Sequence, residues 1–512
     1  MFKFDPLHSR PVRQQILLLG VVLTLANLAA IIHKSSRVYL FQQSLCLAYY
    51  LKHDPTKIDF RYSVEEELCK TDEIQSWLSM TDGIDYFLSC LPALLVLATY
   101  KELLPFMGLR RIVIINLCFS ALGVFCSILG FSLHQTWTTN AILASFVFNV
   151  IGGGDTTLIM SVTTCIAVLS PREELTNAYN YISACWFIAS VTGSGIGSLL
   201  LRNHVYLLNG LSILCYALTA CIAVTIPSRC GQDAQITERS RPILLASDDL
   251  DSPSSSPERQ AIADHATSNR SLIRILLHSW QASYRSLFTI FSVPNPTLTV
   301  LIVFLINGLA IRLDVLLPQY ISLVLHWPLA TVNRVLALKA LISALMLFAL
   351  PTLRKFYLEP RMSTLQVDLL ITQISLVTNT IGVIGLGFSA PAVFFILALC
   401  VYTSGTGLAD SLTAYGTFTL PPGEEISEFY MRTGLITTIA AMIGAPLWSA
   451  VFSLVLRSGH LPLGLPFWMC AILFGAGIGG AITLRKRLGI DMQKASGHER
   501  GAYERAADDE TE

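Results

Sequence analysis

The sequence predicts an all-α membrane protein in which twelve spanning helices form two bundles of six. Three observations predict this fold class. The 512 residues are 53% apolar and only 14% charged, with a mean hydropathy of +0.57, whereas a soluble domain carries about 25% charged residues. Apolar segments of membrane-spanning length recur along the chain, and one long polar stretch divides them into two equal sets.

Each apolar segment is close to the roughly 20 residues that a helix needs to cross a bilayer. The first follows Arg10 and Arg13 and lacks a small-residue cleavage site, so we expect a retained helix rather than a signal peptide. The predicted spans are Gln15–Ile32, Trp77–Thr99, Ile112–Leu133, Ala141–Leu169, Ala178–Leu201, Val205–Ile226, Thr297–Leu325, Ala330–Leu350, Leu365–Phe388, Pro391–Thr413, Phe429–Leu456 and Leu463–Leu484.

The polar segments predict the rest of the domain plan. A stretch rich in Ser, Pro and Asp cannot bury a core and therefore predicts a linker. Apolar residues at helical spacing near its end favour an amphipathic helix on the membrane surface over a thirteenth span. The predicted divisions are an N-terminal tail (1–14), a first bundle (15–226) with an external cap (33–76), a cytosolic linker (227–294) with its amphipathic helix (271–291), a second bundle (295–487) and a solvated tail (488–512).

Lysine and arginine in short loops predict the orientation. Thirteen of these residues lie on the side of the N-terminus and two on the opposite side. We therefore expect both termini in the cytosol, and we expect the protein in the plasma membrane. Positive and negative side chains balance at 35 each, which argues against a nucleic-acid binder. We find no metal-ligand set, nucleophile motif or nucleotide loop, so we expect neither an enzyme nor a cofactor.

Ionisable side chains inside the spans are the candidates for function. A charge in hydrocarbon costs about 2.5–3.5 kcal/mol on insertion scales, so such residues need a partner or a wet cavity. For Arg312, deep in the seventh span, we expect Asp155 or Asp410 as the partner, in either a structural or a functional ion pair. Asp82 and Asp85 share one face of the second span, or they are end charges at the water interface. The whole set is Asp82, Asp85, Asp155, Arg312, Asp314, Arg334, Lys339, Asp368 and Asp410.

Six short motifs lie in order along the chain. They are CLAYY at Cys46–Tyr50, LCK at Leu68–Lys70, IGGGD at Ile151–Asp155, PQYIS at Pro318–Ser322, IGAPLWSAVF at Ile443–Phe452 and GLPF at Gly464–Phe467. With the plan of six plus six spans, they make the chain resemble the major facilitator superfamily, in a fungal branch related in layout to proton-coupled folate transporters. The resemblance implies a monomer whose two halves rock about a site near the middle of the bilayer.

The resemblance also implies roles for particular residues. In that family the first, fourth, seventh and tenth spans line a central cavity, so Asp155, Arg312, Asp314 and Asp410 would face it. Burial raises the pKa of a carboxylate in such a cavity, whereas a nearby cation lowers it, and this competition is suited to proton coupling. Further candidates for the path of substrate and proton are Asp85, Asn307 and Lys339.

Two signature loops depart from the family pattern. The loop YKELLPFMGLRR keeps Gly108, Arg110 and Arg111, but Pro105 stands where an aspartate is usual. After the fourth span, Glu174 is kept and Leu175 stands where an arginine is usual. In the family, charged residues of these loops hold the cytosolic side together. Either this chain uses other residues for that purpose, Lys101 among them, or the protein no longer alternates rapidly between its two states.

The external cap carries Cys46 and Cys69 at its flanks. A disulfide between them would persist in an oxidising compartment. The alternative is that Cys46 remains within the first helix and is packed there as a small apolar side chain.

Three classes of function follow. The favoured one is a secondary transporter for a small organic molecule, exporting a metabolite in exchange for protons. Uptake of an anionic nutrient is the second reading, supported by Arg312 and Lys339. A transporter-like sensor or scaffold is supported by the degenerate loops, and an intramembrane enzyme comes last.

Overall fold

The computed structural model describes residues 10–59, 63–133, 138–169, 175–202, 204–226, 295–388, 391–418, 420 and 426–509. Within these ranges the regular secondary structure is entirely helical. The predicted linker over 227–294, its amphipathic helix over 271–291, and Glu174 lie outside the described residues.

The described residues before the predicted linker form eight helices. They are α1 (Arg10–His53), α2 (Asp72–Met107), α3 (Leu109–Leu133), α4 (Thr138–Ala144), α5 (Phe146–Gly152), α6 (Gly154–Leu169), α7 (Leu175–Leu200) and α8 (Val205–Ala223). Two 3-10 helices, Pro55–Lys57 and Glu66–Cys69, lie between α1 and α2.

Eight further helices lie among the residues that the structure describes from position 295 onward. They are α9 (Asn295–Ile311), α10 (Leu317–Val324), α11 (Leu329–Leu353), α12 (Thr364–Gly387), α13 (Ala392–Ser404), α14 (Leu408–Phe418), α15 (Ile426–Ser458) and α16 (Leu465–Asp509). Arg312–Val315 and Gly405–Gly407 are 3-10 helices, and Arg354–Leu358 is a π-helical turn.

Ten helical stretches among the described residues are long and apolar enough to cross a membrane. They correspond to ten of the twelve predicted spans. The second and fifth predicted spans lie in α2 and α7, which are helical, but part of their side chains lies outside the described set. Three predicted spans, the fourth, seventh and tenth, are each broken into shorter helices.

Two predicted boundaries differ from the structure. The first helix continues to His53, well past Ile32, because no glycine or proline occurs between Gly20 and Pro55 to end it. The outer end of this helix therefore replaces much of the predicted cap. The last helix likewise continues to Asp509, where a solvated tail is predicted.

The chain forms two compact units. The first contains the described residues up to Ile74, those from Ile84 to 226, and Pro328–Ala337. A stripe on α1, with Leu19, Val22, Leu23 and Ala26 at helical spacing, is buried in its core. Its partners are on α3, α6 and α8, including Leu117, Val162 and Tyr216. Because lipid is as apolar as leucine, close van der Waals packing holds such helices together.

The second unit contains Gln75–Gly83, the described residues from 295 to Trp327, and those from Leu338 onward. Tyr320 lies at its core, with its ring centre 4.3 Å from that of Phe467 and 6.3 Å from that of Phe395. The Tyr320 hydroxyl donates to the Leu386 carbonyl at 3.0 Å, which satisfies its one buried polar group.

Candidate functional site

The first unit contains an ion pair that joins α1 to α2. Arg37 Nη1 lies 2.5 Å from Asp85 Oδ2, and the two side chains are only 14% and 7% exposed. Arg37 lies in the part of α1 that continues past Ile32 to His53. Asp85 is therefore part of a buried pair and is not an end charge at the water interface.

A second cation and a second carboxylate belong to the same cluster. The charges of Arg37 and Lys34 act on both Asp85 and Asp155. Lys34 is exposed, and its ammonium nitrogen is 6.0 Å from the ring centre of Tyr86. We call Lys34, Arg37, Asp85 and Asp155 the first charge cluster.

Lys34 and Arg37 were not predicted as site residues, because both lie within the predicted external cap (33–76). The uninterrupted run between Gly20 and Pro55 was the signal that could have placed them in the helix.

Asp155 lies directly after a break in the fourth span. Gly153 and Gly154 have φ values of +87° and +66°, a region that non-glycine residues rarely adopt. Asn116 of α3 donates from Nδ2 to the Gly152 carbonyl at 2.7 Å and to the Gly154 carbonyl at 2.8 Å. Buried backbone groups freed by a break need such partners inside a membrane. The three glycines, expected within one packed helix, instead divide it, and Asp155 falls in the first turn of α6.

The second unit contains a different cluster around Asp314. Lys339 of α11 donates to Asp314 Oδ2 in an ion pair. The Tyr402 hydroxyl of α13 donates to Asp314 Oδ1 at 3.0 Å. The ammonium nitrogen of Lys339 also lies 5.4 Å from the Tyr402 ring centre. We call Asp314, Lys339 and Tyr402 the second charge cluster, in which Tyr402 was not predicted as a site residue.

Arg312 begins the short 3-10 helix that also holds Asp314. This 3-10 helix and the following Leu317–Val324 helix, with Pro318 in its first turn, interrupt the seventh span. Gly444 of α15 lies close to Arg312, since a Cβ added to this glycine would be 3.1 Å from the Arg312 Cβ. Asn307 is buried in α9, before the break.

The expected pairing of Arg312 with Asp410 stays a prediction. The carboxylate in the same short helix, Asp314, is bound by Lys339. Asp155, the other expected partner, experiences the charges of Lys34 and Arg37 within its own unit.

Asp410 repeats the placement of Asp155 in the other half of the chain. The tenth span is interrupted by Gly405–Gly407, and Asp410 lies in the first turn of the helix that follows. A Cβ on Gly405 would lie 2.1 Å from Asn379 Oδ1, so here too an asparagine of the preceding span lies at a glycine break. The positive end of a helix favours a negative charge in its first turn.

Both carboxylates have accessible surface, although other parts of the protein surround each of them. Each lies within an apolar stretch long enough to cross a membrane, Thr139–Ile159 for Asp155 and Ala392–Thr417 for Asp410. A charge at that depth is tolerated where it meets water or a partner and is costly against lipid. Asp155 and Asp410 are therefore suited to line a hydrated path.

The structure gives part of the predicted gating loop. Gly108 has a φ of +74° and separates α2 from α3, so a glycine is required for this tight connection. Arg110 is partly buried and Arg111 is exposed in the first turn of α3. The side chain of Lys101 lies outside the described set, as does Glu174.

A disulfide joins Cys46 to Cys69, with their Cα atoms 5.4 Å apart. Cys46 is within α1, as the packed alternative requires, and it is bonded as well. Around it a small apolar cluster includes Leu47, Tyr50 and Val64. In the described part of the chain no group of three or more His, Cys, Asp or Glu side chains could hold a metal ion.

Comparisons with known proteins agree with this arrangement of helices. The family model described as Major Facilitator Superfamily matches residues 64–445 of this chain. The MFS efflux pump atnC of Emericella nidulans is 24% identical over 483 residues, which are 93% of this chain and 88% of that protein. The MFS-type transporter aprT of Aspergillus flavus is 26% identical over 441 residues, 84% of this chain and 80% of that protein.

Solved structures show the same fold. A D-xylose–proton symporter superposes with a TM-score of 0.58 at 11% identity, over 92% of this chain and 97% of the symporter. The human organic anion transporter MFSD10 superposes with a TM-score of 0.56 at 14% identity, over 92% of this chain and all of the other. The predicted all-α fold of two six-helix bundles is confirmed.

Proposed function

Because the chain belongs to the major facilitator superfamily, we propose that it exports a small organic metabolite by alternating access, in exchange for protons. Membership of this family makes the chain a multi-pass membrane transporter and not an enzyme. Export, the coupling ion and the substrate class are the proposed parts.

The placement of Asp155 and Asp410 is the observation that carries proton exchange. Both are exposed carboxylates within apolar spans, and each begins a half-helix after a glycine break. A carboxylate that meets water at membrane depth can bind and release a proton as its surroundings change. The first charge cluster adds the cations Lys34 and Arg37, whose charges act on Asp155.

The relatives support the direction of transport. One of the two curated relatives is named an efflux pump, and both come from filamentous fungi. Their identity to this chain is 24% and 26%. We infer export from that name and leave the compound open, since the contacts described above select no single chemical structure.

Flux in reconstituted vesicles tests the proposal. Purified protein in liposomes with an imposed pH gradient is supplied with a panel of small organic anions, cations and neutral compounds, and both solute and internal pH are followed. We expect Asp155→Asn or Asp410→Asn to abolish pH-driven flux at unchanged abundance. Asp72→Asn, at the exposed start of α2, is the matched control and should transport normally. Normal flux in both the Asp155→Asn and the Asp410→Asn variants would exclude proton coupling at these sites.

Uptake of an anionic nutrient is the second candidate. It is favoured by the cations within or beside the spans, Lys34, Arg37, Arg312 and Lys339, which would attract an organic anion. Reversing the pH gradient in the same vesicles separates the two directions. If the panel binds without any movement of label, a non-transporting sensor is the better description.

The orientation completes the proposal. The excess of Lys and Arg in the short loops on the N-terminal side supports cytosolic termini, and we propose the plasma membrane as the location. Fluorescent tags at either end, tested for quenching from outside intact cells, should both be protected. The protein is proposed to act as a monomer.

A further inference from the structure

A carboxylate outside the membrane-spanning segments is bonded to the backbone of a spanning helix. Glu66 Oε1 accepts a hydrogen bond from the Leu329 backbone N–H at 2.6 Å. Glu66 lies in the 3-10 helix Glu66–Cys69, which the Cys46–Cys69 disulfide fastens to α1. Its neighbours Glu65 and Glu67 are exposed, while Glu66 is half-buried. One glutamate of three consecutive ones is therefore directed inward.

The bond reaches a helix that belongs to both units. Leu329 is the first residue of α11, and Pro328–Ala337 belongs to the first unit, whereas the rest of α11 from Leu338 belongs to the second. Leu329 itself packs with Ile32, Leu201 and Leu208 of the first unit. Movement of α11 away from the first unit would thus have to break the bond to Glu66 and expose its carboxylate to water.

Several charged or titratable groups act on Glu66. Lys70 and Glu67 come from its own segment, Arg202 comes from the loop after α7, and Glu66 acts in turn on Tyr39 of α1. Burial raises the pKa of Glu66, and this outweighs the opposing effects of the Leu329 N–H, Lys70 and Arg202. The exposed Glu67 also raises it.

The sign of the pH effect follows from linkage. In the docked state the pKa of Glu66 is above that of a water-exposed glutamate, so the docked state binds the proton more tightly. Acid therefore favours docking, and the advantage is lost as the pH rises through the docked-state pKa. A protonated carboxyl keeps a carbonyl oxygen that accepts the Leu329 N–H.

We propose that Glu66 is an external proton-binding latch, which docks the disulfide-fastened segment onto α11 in acid and releases it as the pH rises. The inference rests on the proposed function in placing this face outside the cell. The latch is a second proton site, separate from Asp155 and Asp410.

Hydrogen–deuterium exchange of the full chain in lipid nanodiscs tests the latch without any transport. The measured quantity is protection of the peptide that contains Leu329, at about pH 4.5, close to the ordinary glutamate pKa, and at about pH 7.5. Rates are corrected for the intrinsic pH dependence of amide exchange. We expect the wild-type peptide to be better protected at the lower pH.

Three variants make the result specific. Glu66→Gln mimics the protonated form and keeps an acceptor oxygen, so it should be protected at both pH values. Glu66→Ala removes the acceptor and should exchange about fivefold faster at both, as loss of one hydrogen bond implies. Glu65→Gln, the matched control, should keep the wild-type pH dependence.

Two outcomes would overturn the latch. Wild-type protection that does not change with pH is one. The other is a pH dependence that survives in Glu66→Gln, because it would belong to another group such as His326, which precedes Leu329 closely. A chain that moves no solute in vesicles yet shows the expected protection pattern would refute the proposed transport while supporting the latch.

Discussion

The buried ion pair between Arg37 and Asp85 offers the sharpest test of the first charge cluster. Both side chains are nearly inaccessible, at 14% and 7% exposure, so neither charge can be solvated once its partner is lost. Removing one member of such a pair destabilises a protein by about 3–5 kcal/mol, whereas replacing both by neutral groups is often close to neutral. We therefore expect Asp85→Asn and Arg37→Met each to be strongly destabilised, and the double variant to recover most of that loss.

Thermal unfolding of the purified protein measures this effect. A thiol-reactive fluorophore reports unfolding because Cys165, Cys185 and Cys470 are buried. The melting temperatures of wild type, the two single variants and the double variant form a double-mutant cycle, in which contacting residues give a coupling of about 0.5–3 kcal/mol. Lys52→Met, an exposed cation in the last turn of the same helix, is the control and should change stability by less than about 0.5 kcal/mol.

The result that would refute the reasoning is additivity. If the double variant is destabilised by the sum of the single effects, Arg37 and Asp85 do not depend on each other. In that case α1 would not need to continue past Ile32 to supply a partner for Asp85, and Lys34 and Arg37 would return to an external loop.

Three other predictions concern the glycine break, the disulfide and the second charge cluster. Gly153→Ala should lower the melting temperature by an amount that corresponds to about 1–2 kcal/mol, because its φ of +87° is unfavourable for a side chain; wild-type stability would mean that the break persists without glycine. Cys46→Ser with Cys69→Ser should remove about 3 kcal/mol, since the bridge spans 23 residues, and mass spectrometry of non-reduced peptides should find the bridge in wild type; two free thiols there would exclude it. Tyr402→Phe removes the hydroxyl bonded to Asp314 and should impair flux with unchanged abundance, since about 1–3 kcal/mol attaches to such a charged hydrogen bond; unchanged flux would exclude a role for this contact in transport.

The sequence alone determined the class of protein and the rough order of its helices. Length, low charge and the recurrence of apolar segments are local properties that depend only on lipid being the solvent. The buried faces of α1 could be read from residue spacing for the same reason, and the charged residues inside the spans were visible because each is conspicuous in an apolar run.

Only the tertiary structure decided which charges meet. Lys34 and Arg37 join Asp85 and Asp155 because the helix that holds them continues, and Lys339 and Tyr402 meet Asp314 because α11 and α13 bring them there. Such pairs join residues far apart in the chain, so no residue spacing encodes them. The breaks after Gly152 and Ser404 were likewise undecided by composition, since glycines permit both close packing and a break. Neighbouring helices resolve the ambiguity, because Asn116 supplies the hydrogen bonds that an interrupted helix needs in a membrane.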